Sequence, residues 1–124
     1  MTRKEMNEFL KSIGGLVNGY YPDRDPISDS HMFCVGEGWF DIIKDLITDL
    51  IELGWDRKVL QVKEKFGGLR FYIPLETDEM SERILEAEDK SYHTCEVTGK
   101  EGKIRLDLGW YRTLCDEEYQ KVRR

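Results

Sequence analysis

Apolar residues recur at helical spacing in three stretches of this chain and alternate in two others. The first helical stretch opens at Thr2, where Thr2 and Glu5 have the spacing of a capping box. Met6, Phe9, Leu10 and Ile13 follow on one face, and Gly14-Gly15 closes it. The second stretch, residues 37–53, carries the widest apolar face: Trp39, Phe40, Ile43, Leu46, Ile47, Leu50, Ile51 and Leu53. A helix of that kind lies against most of the core. The third, residues 78–90 behind an N-capping Thr77, turns Met80, Ile84, Leu85 and Ala87 inward.

Between the second and third helices, residues 58–66 and 69–73 alternate across Gly67-Gly68, the pattern of a hairpin with a primed turn. Parity places Leu60, Val62, Phe66, Leu69, Phe71 and Ile73 on one face, and Gln61, Lys63, Lys65, Arg70 and Tyr72 on the other. Glu64 falls on the apolar face. It is either turned outward by a bulge near the glycines or buried with a partner. Residues 18–38 hold Asn18-Gly19, Pro22, Pro26 and Ser28-Asp29-Ser30, which is turn chemistry, and read as a long connection. From Tyr92 onward the pattern gives a second hairpin over residues 103–114 and a short helix opening at Cys115. The expected fold is α+β: three helices packed on a small antiparallel sheet, with a C-terminal ribbon-like hairpin and short helix, in one domain over residues 1–124.

Composition narrows the class of protein. The chain has 124 residues, 40% hydrophobic and 35% charged, enough to build a core and too mixed in sign for a disordered tail. No apolar run approaches the ~18 residues of a membrane span, and the charged amphipathic start does not read as a signal peptide. Three cysteines in no disulfide framework suit a reducing, cytoplasmic compartment. The net charge of −6 argues against non-specific nucleic-acid binding, but its distribution says more. Residues 36–56 carry six acids and one lysine, 57–74 five bases and one acid, and 75–89 seven acids and one arginine.

These blocks supply the candidate binding surfaces. Asp41, Asp45, Asp49 and Glu52 stack on one stripe of the second helix, and Glu79, Glu82, Glu86 and Asp89 on one stripe of the third. Two acidic stripes can occupy a basic protein surface or mimic a phosphate backbone. The hairpin offers the opposite case. Lys63, Lys65, Arg70 and Tyr72 combine cations with an aromatic, the chemistry of phosphate and base contacts. Either set can also be a solvated face.

The tail has the spacing of a zinc-knuckle pair. Cys95 stands three residues before Thr98 and Cys115 three before Glu118, with 16 residues between Thr98 and Cys115. Only two of these four positions supply a thiolate. The tail is therefore expected to fold without metal or any other cofactor. Were metal held, Cys95, Cys115, Glu118 and His93 would be its ligands. No nucleophile elbow, phosphate loop or His-Glu-x-x-His motif is present, and His31 with Cys34 lacks a third catalytic group. The expectation is a protein that is not an enzyme.

The run Leu60-Gln61-Val62-Lys63-Glu64-Lys65-Phe66-Gly67-Gly68-Leu69-Arg70-Phe71-Tyr72, with Thr94-Cys95-Glu96-Val97 and Trp110-Tyr111-Arg112-Thr113-Leu114-Cys115, resembles a family of small, mostly uncharacterised phage and prophage proteins. The resemblance spans residues 36–118. Members of that family keep a fuller cysteine and histidine set in the tail. This chain departs from it at Thr98 and Glu118, so residues 92–118 read as a degenerate zinc ribbon. A phage origin implies a stoichiometric inhibitor of a host protein, such as a CRISPR-type or other anti-phage defence component. A small nucleic-acid-binding module using the hairpin is the alternative, and an enzyme of unknown class the third.

Overall fold

The computed structural model describes residues 1–123. Its first helix, α1 (Arg3–Ser12), starts on the capping box: the Thr2 hydroxyl accepts the Glu5 N–H, and the Thr2 N–H donates to the Glu5 carboxylate at 2.8 Å. Met6 and Leu10 are buried. The connection that follows is not featureless. It holds β1 (Val17–Asn18), a 3₁₀ turn over Ser30–Met32 and β2 (Phe33–Cys34). A second 3₁₀ turn, Glu37–Trp39, then leads into α2 (Phe40–Glu52). Downstream come β3 (Lys58–Val59), β4 (Gln61–Lys65), β5 (Gly68–Tyr72), α3 (Asp78–Ser91), β6 (Lys103–Arg105), β7 (Arg112–Leu114) and α4 (Asp116–Val122).

The fold is α+β with four helices and small sheets, and the sheet topology corrects the sequence expectation. There is no single antiparallel sheet. Strands β2, β4 and β5 form a three-stranded mixed sheet in which β2 runs parallel to β4, while β1 and β3 form a parallel pair of their own. The missed strands are two residues long, too short to carry an alternating pattern. Tertiary pairing makes them strands, and Phe33 brings a fully buried ring with it. The second hairpin, β6–β7, stands apart as an antiparallel pair.

The main core collects Met6, Leu10, Leu16, Phe33, Trp39, Phe40, Ile43, Ile47, Leu50, Val59, Val62, Leu69 and Phe71, with Met80 and Ala87 closing it from α3. Each large side chain so buried contributes on the order of 1.5–3 kcal/mol. A separate small core joins Cys95, Leu114 and Cys115, with Leu108 and Tyr119 packed on it. Ile104, Leu106 and Trp110, which share one parity in the second hairpin, are exposed, and so is Tyr111; Trp110 is 63% exposed. Leu85 of α3 is likewise exposed, whereas Ser91, the last residue of the helix, is buried and accepts the Leu69 N–H at 2.9 Å.

The first hairpin turns one residue earlier than its double glycine suggests. Lys65 pairs with Gly68, which leaves Phe66-Gly67 as the two-residue turn. Both turn residues have positive φ, 54° and 84°, as a type I′ turn requires. Gly68 is instead a strand residue pressed against the Tyr92 ring. Phe66, placed by parity on the apolar face, is thrown out to 61% exposure. No bulge re-aims Glu64. It pairs regularly with Leu69 and bends its carboxylate back to accept the Gly67 N–H at 2.7 Å.

The two cores meet where the turn before α2 lies on the chain at 94–96. The Gly38 N–H donates to the Glu96 carbonyl at 2.8 Å, and the Trp39 indole N–H donates to the Thr94 carbonyl at 2.8 Å. A Cβ on Gly38 would stand 2.1 Å from the Cys95 carbonyl oxygen, so backbone meets backbone with no room for a side chain. Gly38→Ala is expected to destabilise the chain by about 3 kcal/mol, near the top of the range for overpacking, because the obstructing atoms are backbone. Denaturant unfolding monitored by Trp39 fluorescence checks this. A loss below about 1 kcal/mol would show that the two segments separate freely.

Candidate functional site

The acidic stripes lie on neighbouring helices. Asp45, Asp49 and Leu46 of α2 line a shallow groove with Arg83, Glu86 and Lys90 of α3. Three of the eight stripe carboxylates, Asp45, Asp49 and Glu86, thus border one groove between the helices, together with the cations of Arg83 and Lys90. All eight predicted carboxylates, Asp41, Asp45, Asp49, Glu52, Glu79, Glu82, Glu86 and Asp89, sit on exposed residues. Asp41 lies 3.6 Å from the Met1 amino group, and Glu86 holds Arg83 at 2.6 Å. The other six form no ion pair within 4 Å among the described residues. Arg83 is also within electrostatic reach of Asp49 and Glu82, so one cation sits between the two stripes.

The basic hairpin face is thinner than its sequence promised. Arg70 is drawn into a network with the end of α3, its guanidinium 2.9 Å from Glu88 and 3.3 Å from the Tyr92 hydroxyl. Lys63, Lys65 and Tyr72 remain outside that network, Lys65 and Tyr72 on exposed positions. What parity missed is an aromatic cluster at the tips of the two hairpins. The Phe66 and Tyr111 ring centroids are 6.1 Å apart, and the Lys65 ammonium stands 5.7 Å from the Phe66 centroid. The Ile104 side chain packs over Gly67 beside them. Further along the tail, Trp110, Arg112 and Lys121 line an open concavity of about 620 Å³. The only sequence signal for this cluster was a bulky residue directly before a double glycine.

The tail closes into the shape its spacing implies. The Cys95 N–H donates to the Lys100 carbonyl at 2.7 Å, and the Gly99 N–H to the Cys95 carbonyl at 2.9 Å, which curls residues 95–100 into a knuckle. The β6–β7 hairpin then returns Cys115 to it at the start of α4. Cys95, Thr98 and Cys115 come together: the Thr98 hydroxyl is 3.7 Å from Cys115 Sγ and also hydrogen-bonds Cys95 Sγ. Burial would raise the Cys95 thiol pKa, but the Thr98 hydroxyl and the N–H groups of Cys115, Thr98 and Val97 outweigh it and lower the value. The other two conditional ligands are placed differently. His93 is exposed, and the Glu118 carboxylate is 2.9 Å from Lys121. Among the described residues, no three His, Cys, Asp or Glu side chains gather as a metal-holding group.

Glu96 is the polar residue that sequence reasoning passed over. It is half-buried where the two cores meet, with its carboxylate accepting the Gly36 N–H at 2.9 Å. Burial pushes its pKa up, the Gly36 N–H pulls it back, Glu64 raises it further and Arg112 lowers it. His31 and Cys34 are both exposed; His31 Nδ1 is 2.7 Å from Asp29, and the Cys34 thiol lies 3.8 Å from the Met32 carbonyl.

No protein-family model, curated protein or solved structure matches the chain. No helix among the described residues is long and apolar enough to cross a membrane.

The raised pKa of Glu96 has a definite consequence for stability. Its neutral form is the one the fold favours, so the contribution is full below the ordinary glutamate value of about 4.3 and is lost as pH rises through the higher folded value. Glu96→Gln keeps an oxygen for the Gly36 N–H and removes the charge. The melting temperature of the variant is expected to gain on the natural chain as pH goes from 4 to 8. A difference that stays flat or shrinks over that range would contradict the assignment.

Proposed function

We propose that this chain is a non-enzymatic protein-binding protein that engages a basic surface of its partner through the neighbouring acidic faces of α2 and α3. The observation that carries this reading is the convergence of Asp45, Asp49 and Glu86 on one groove, on helices whose other faces are committed to the core. Carboxylates held on rigid helices lose little entropy on docking, and their field steers a cationic partner. The resemblance to small phage proteins extends the proposal. The partner is then a host protein in the host cytoplasm, such as a CRISPR-type or other anti-phage defence component that handles nucleic acid, and binding is stoichiometric inhibition with carboxylates standing where phosphates would.

The test compares the natural chain with Asp45→Lys/Asp49→Lys as baits in host lysate, followed by titration of the captured protein. The double variant should bind at least tenfold more weakly, and affinity of the natural chain should fall with added salt. Both residues are exposed, so unfolding free energy should change by no more than about 0.5 kcal/mol each. Equal affinity for both baits would remove the acidic groove from the proposal.

A second reading, a small nucleic-acid-binding module, is favoured by one observation. Phe66 holds an exposed ring at φ 54°, a backbone region costly for a bulky residue, beside Tyr111 and under Lys65. Exposed rings flanked by cations stack unpaired bases at about 1–3 kcal/mol per base. On this reading Lys63, Lys65, Tyr72 and Phe66 form the surface, and Phe66→Asn weakens single-stranded oligonucleotide binding at low salt at least fivefold. The substitution relieves the turn, so stability should hold or rise. Absence of oligonucleotide binding by the natural chain at low salt rules this reading out.

A further inference from the structure

The knuckle gathers a pair of sulfurs that the proposed binding function leaves unused. Cys95 is fully buried and Cys115 is 6% exposed, and both are free thiols. One hydroxyl, that of Thr98, reaches both sulfurs. It carries a single hydrogen, so it cannot donate to two thiolates at once. Three backbone N–H groups, from Val97, Thr98 and Cys115, are aimed at Cys95 Sγ. The surroundings thus supply donors for negative charge on two buried sulfurs. Lys121 adds a cation within electrostatic reach of Cys115.

We propose that Cys95 and Cys115 form a two-thiolate site for a thiophilic monovalent d¹⁰ cation, with Cu(I) as the fitting ion. Soft thiolates select Cu(I), and two sulfurs complete a linear coordination sphere. Zinc needs four ligands in a tetrahedron. Thr98 offers only a neutral hydroxyl, Glu118 is engaged by Lys121, and no third His, Cys, Asp or Glu joins the group among the described residues. Binding replaces two thiol protons, released to solvent, with one Cu(I), and no electron is transferred. The resulting site carries one net negative charge. The N–H donors on Cys95 are placed to hold that charge.

The experiment uses the full chain with Cys34→Ser as background, which removes the exposed thiol, reduced and handled without oxygen. Cu(I) is titrated in competition with bathocuproine disulfonate. One Cu(I) per chain is expected, with retention lowered at least tenfold by Cys95→Ser and by Cys115→Ser. X-ray absorption on the loaded background protein, which needs no core substitution, should show two sulfur scatterers and no nitrogen or oxygen. Zinc supplied in the same way should not stay bound through gel filtration, and EDTA should leave the melting temperature unchanged. Failure to retain Cu(I), a nitrogen or oxygen ligand in the absorption spectrum, or one zinc per chain would each overturn the two-thiolate assignment. None of these outcomes bears on the acidic groove, which lies on other elements.

Discussion

The contact between Gly36–Trp39 and the chain at 94–96 holds the architecture together. Three hydrogen bonds cross it: Gly36 N–H to the Glu96 carboxylate, Gly38 N–H to the Glu96 carbonyl, and the Trp39 indole to the Thr94 carbonyl. Two glycines allow the backbones to approach this closely. Trp39 is fully buried, so the same residue anchors the main core and satisfies its one polar atom on the tail. The entry to α2 and the knuckle are thereby fixed relative to each other. The turn before α2 tightens to a 3₁₀ geometry at this point, one turn short of the α-helix that its apolar pattern predicts from residue 37.

A second tie runs between the hairpins. The buried Thr113 hydroxyl donates to the Gly67 carbonyl at 2.6 Å, while the Thr113 carbonyl accepts the Glu96 N–H at 3.0 Å. The first hairpin's turn is therefore stapled to the second hairpin, and Phe66 and Tyr111 meet as a result. Glu64 and Glu96 are brought near each other by the same arrangement, and Arg112 offsets part of their repulsion. Aromatic rings with no place in either core are left on the outside of this junction. None of the groove residues Asp45, Asp49 and Glu86 takes part in these ties, which leaves the acidic groove free to act as an independent face.

Much of the candidate site was legible residue by residue and illegible as an arrangement. Helical spacing put Asp41, Asp45, Asp49 and Glu52 on one stripe and Glu79, Glu82, Glu86 and Asp89 on another; it could not say that α2 and α3 are neighbours. Parity put Arg70 on the solvent side of the hairpin, but the end of α3 brings Glu88 and Tyr92 to it and takes it out of the free basic surface. Cysteine spacing foretold the knuckle. The contact of the Thr98 hydroxyl with Cys115, and the pairing of Glu118 with Lys121, could not be read from that spacing.

What the sequence determined by itself is local: the capping box of α1 and the Thr77 cap of α3, the apolar periods of α1, α2 and α3, the existence of both hairpins, and the segregation of charge. Each of these follows from interactions within about four residues along a helix or directly across a tight turn. Tertiary structure alone decided the rest. The strands β1 and β2 exist because distant partners complete their hydrogen bonds, since two residues have no period to read, and β3, which the alternating pattern reads as the start of the first hairpin strand, pairs with β1 instead. The turn falls at Phe66-Gly67 because Gly68 must admit the Tyr92 ring, a contact 24 residues away in the chain. Glu96 is a half-buried carboxylate held by an N–H from Gly36, 60 residues earlier. Long-range contacts of this kind depend on shape and backbone approach, and a one-dimensional pattern of apolar and polar residues does not encode either.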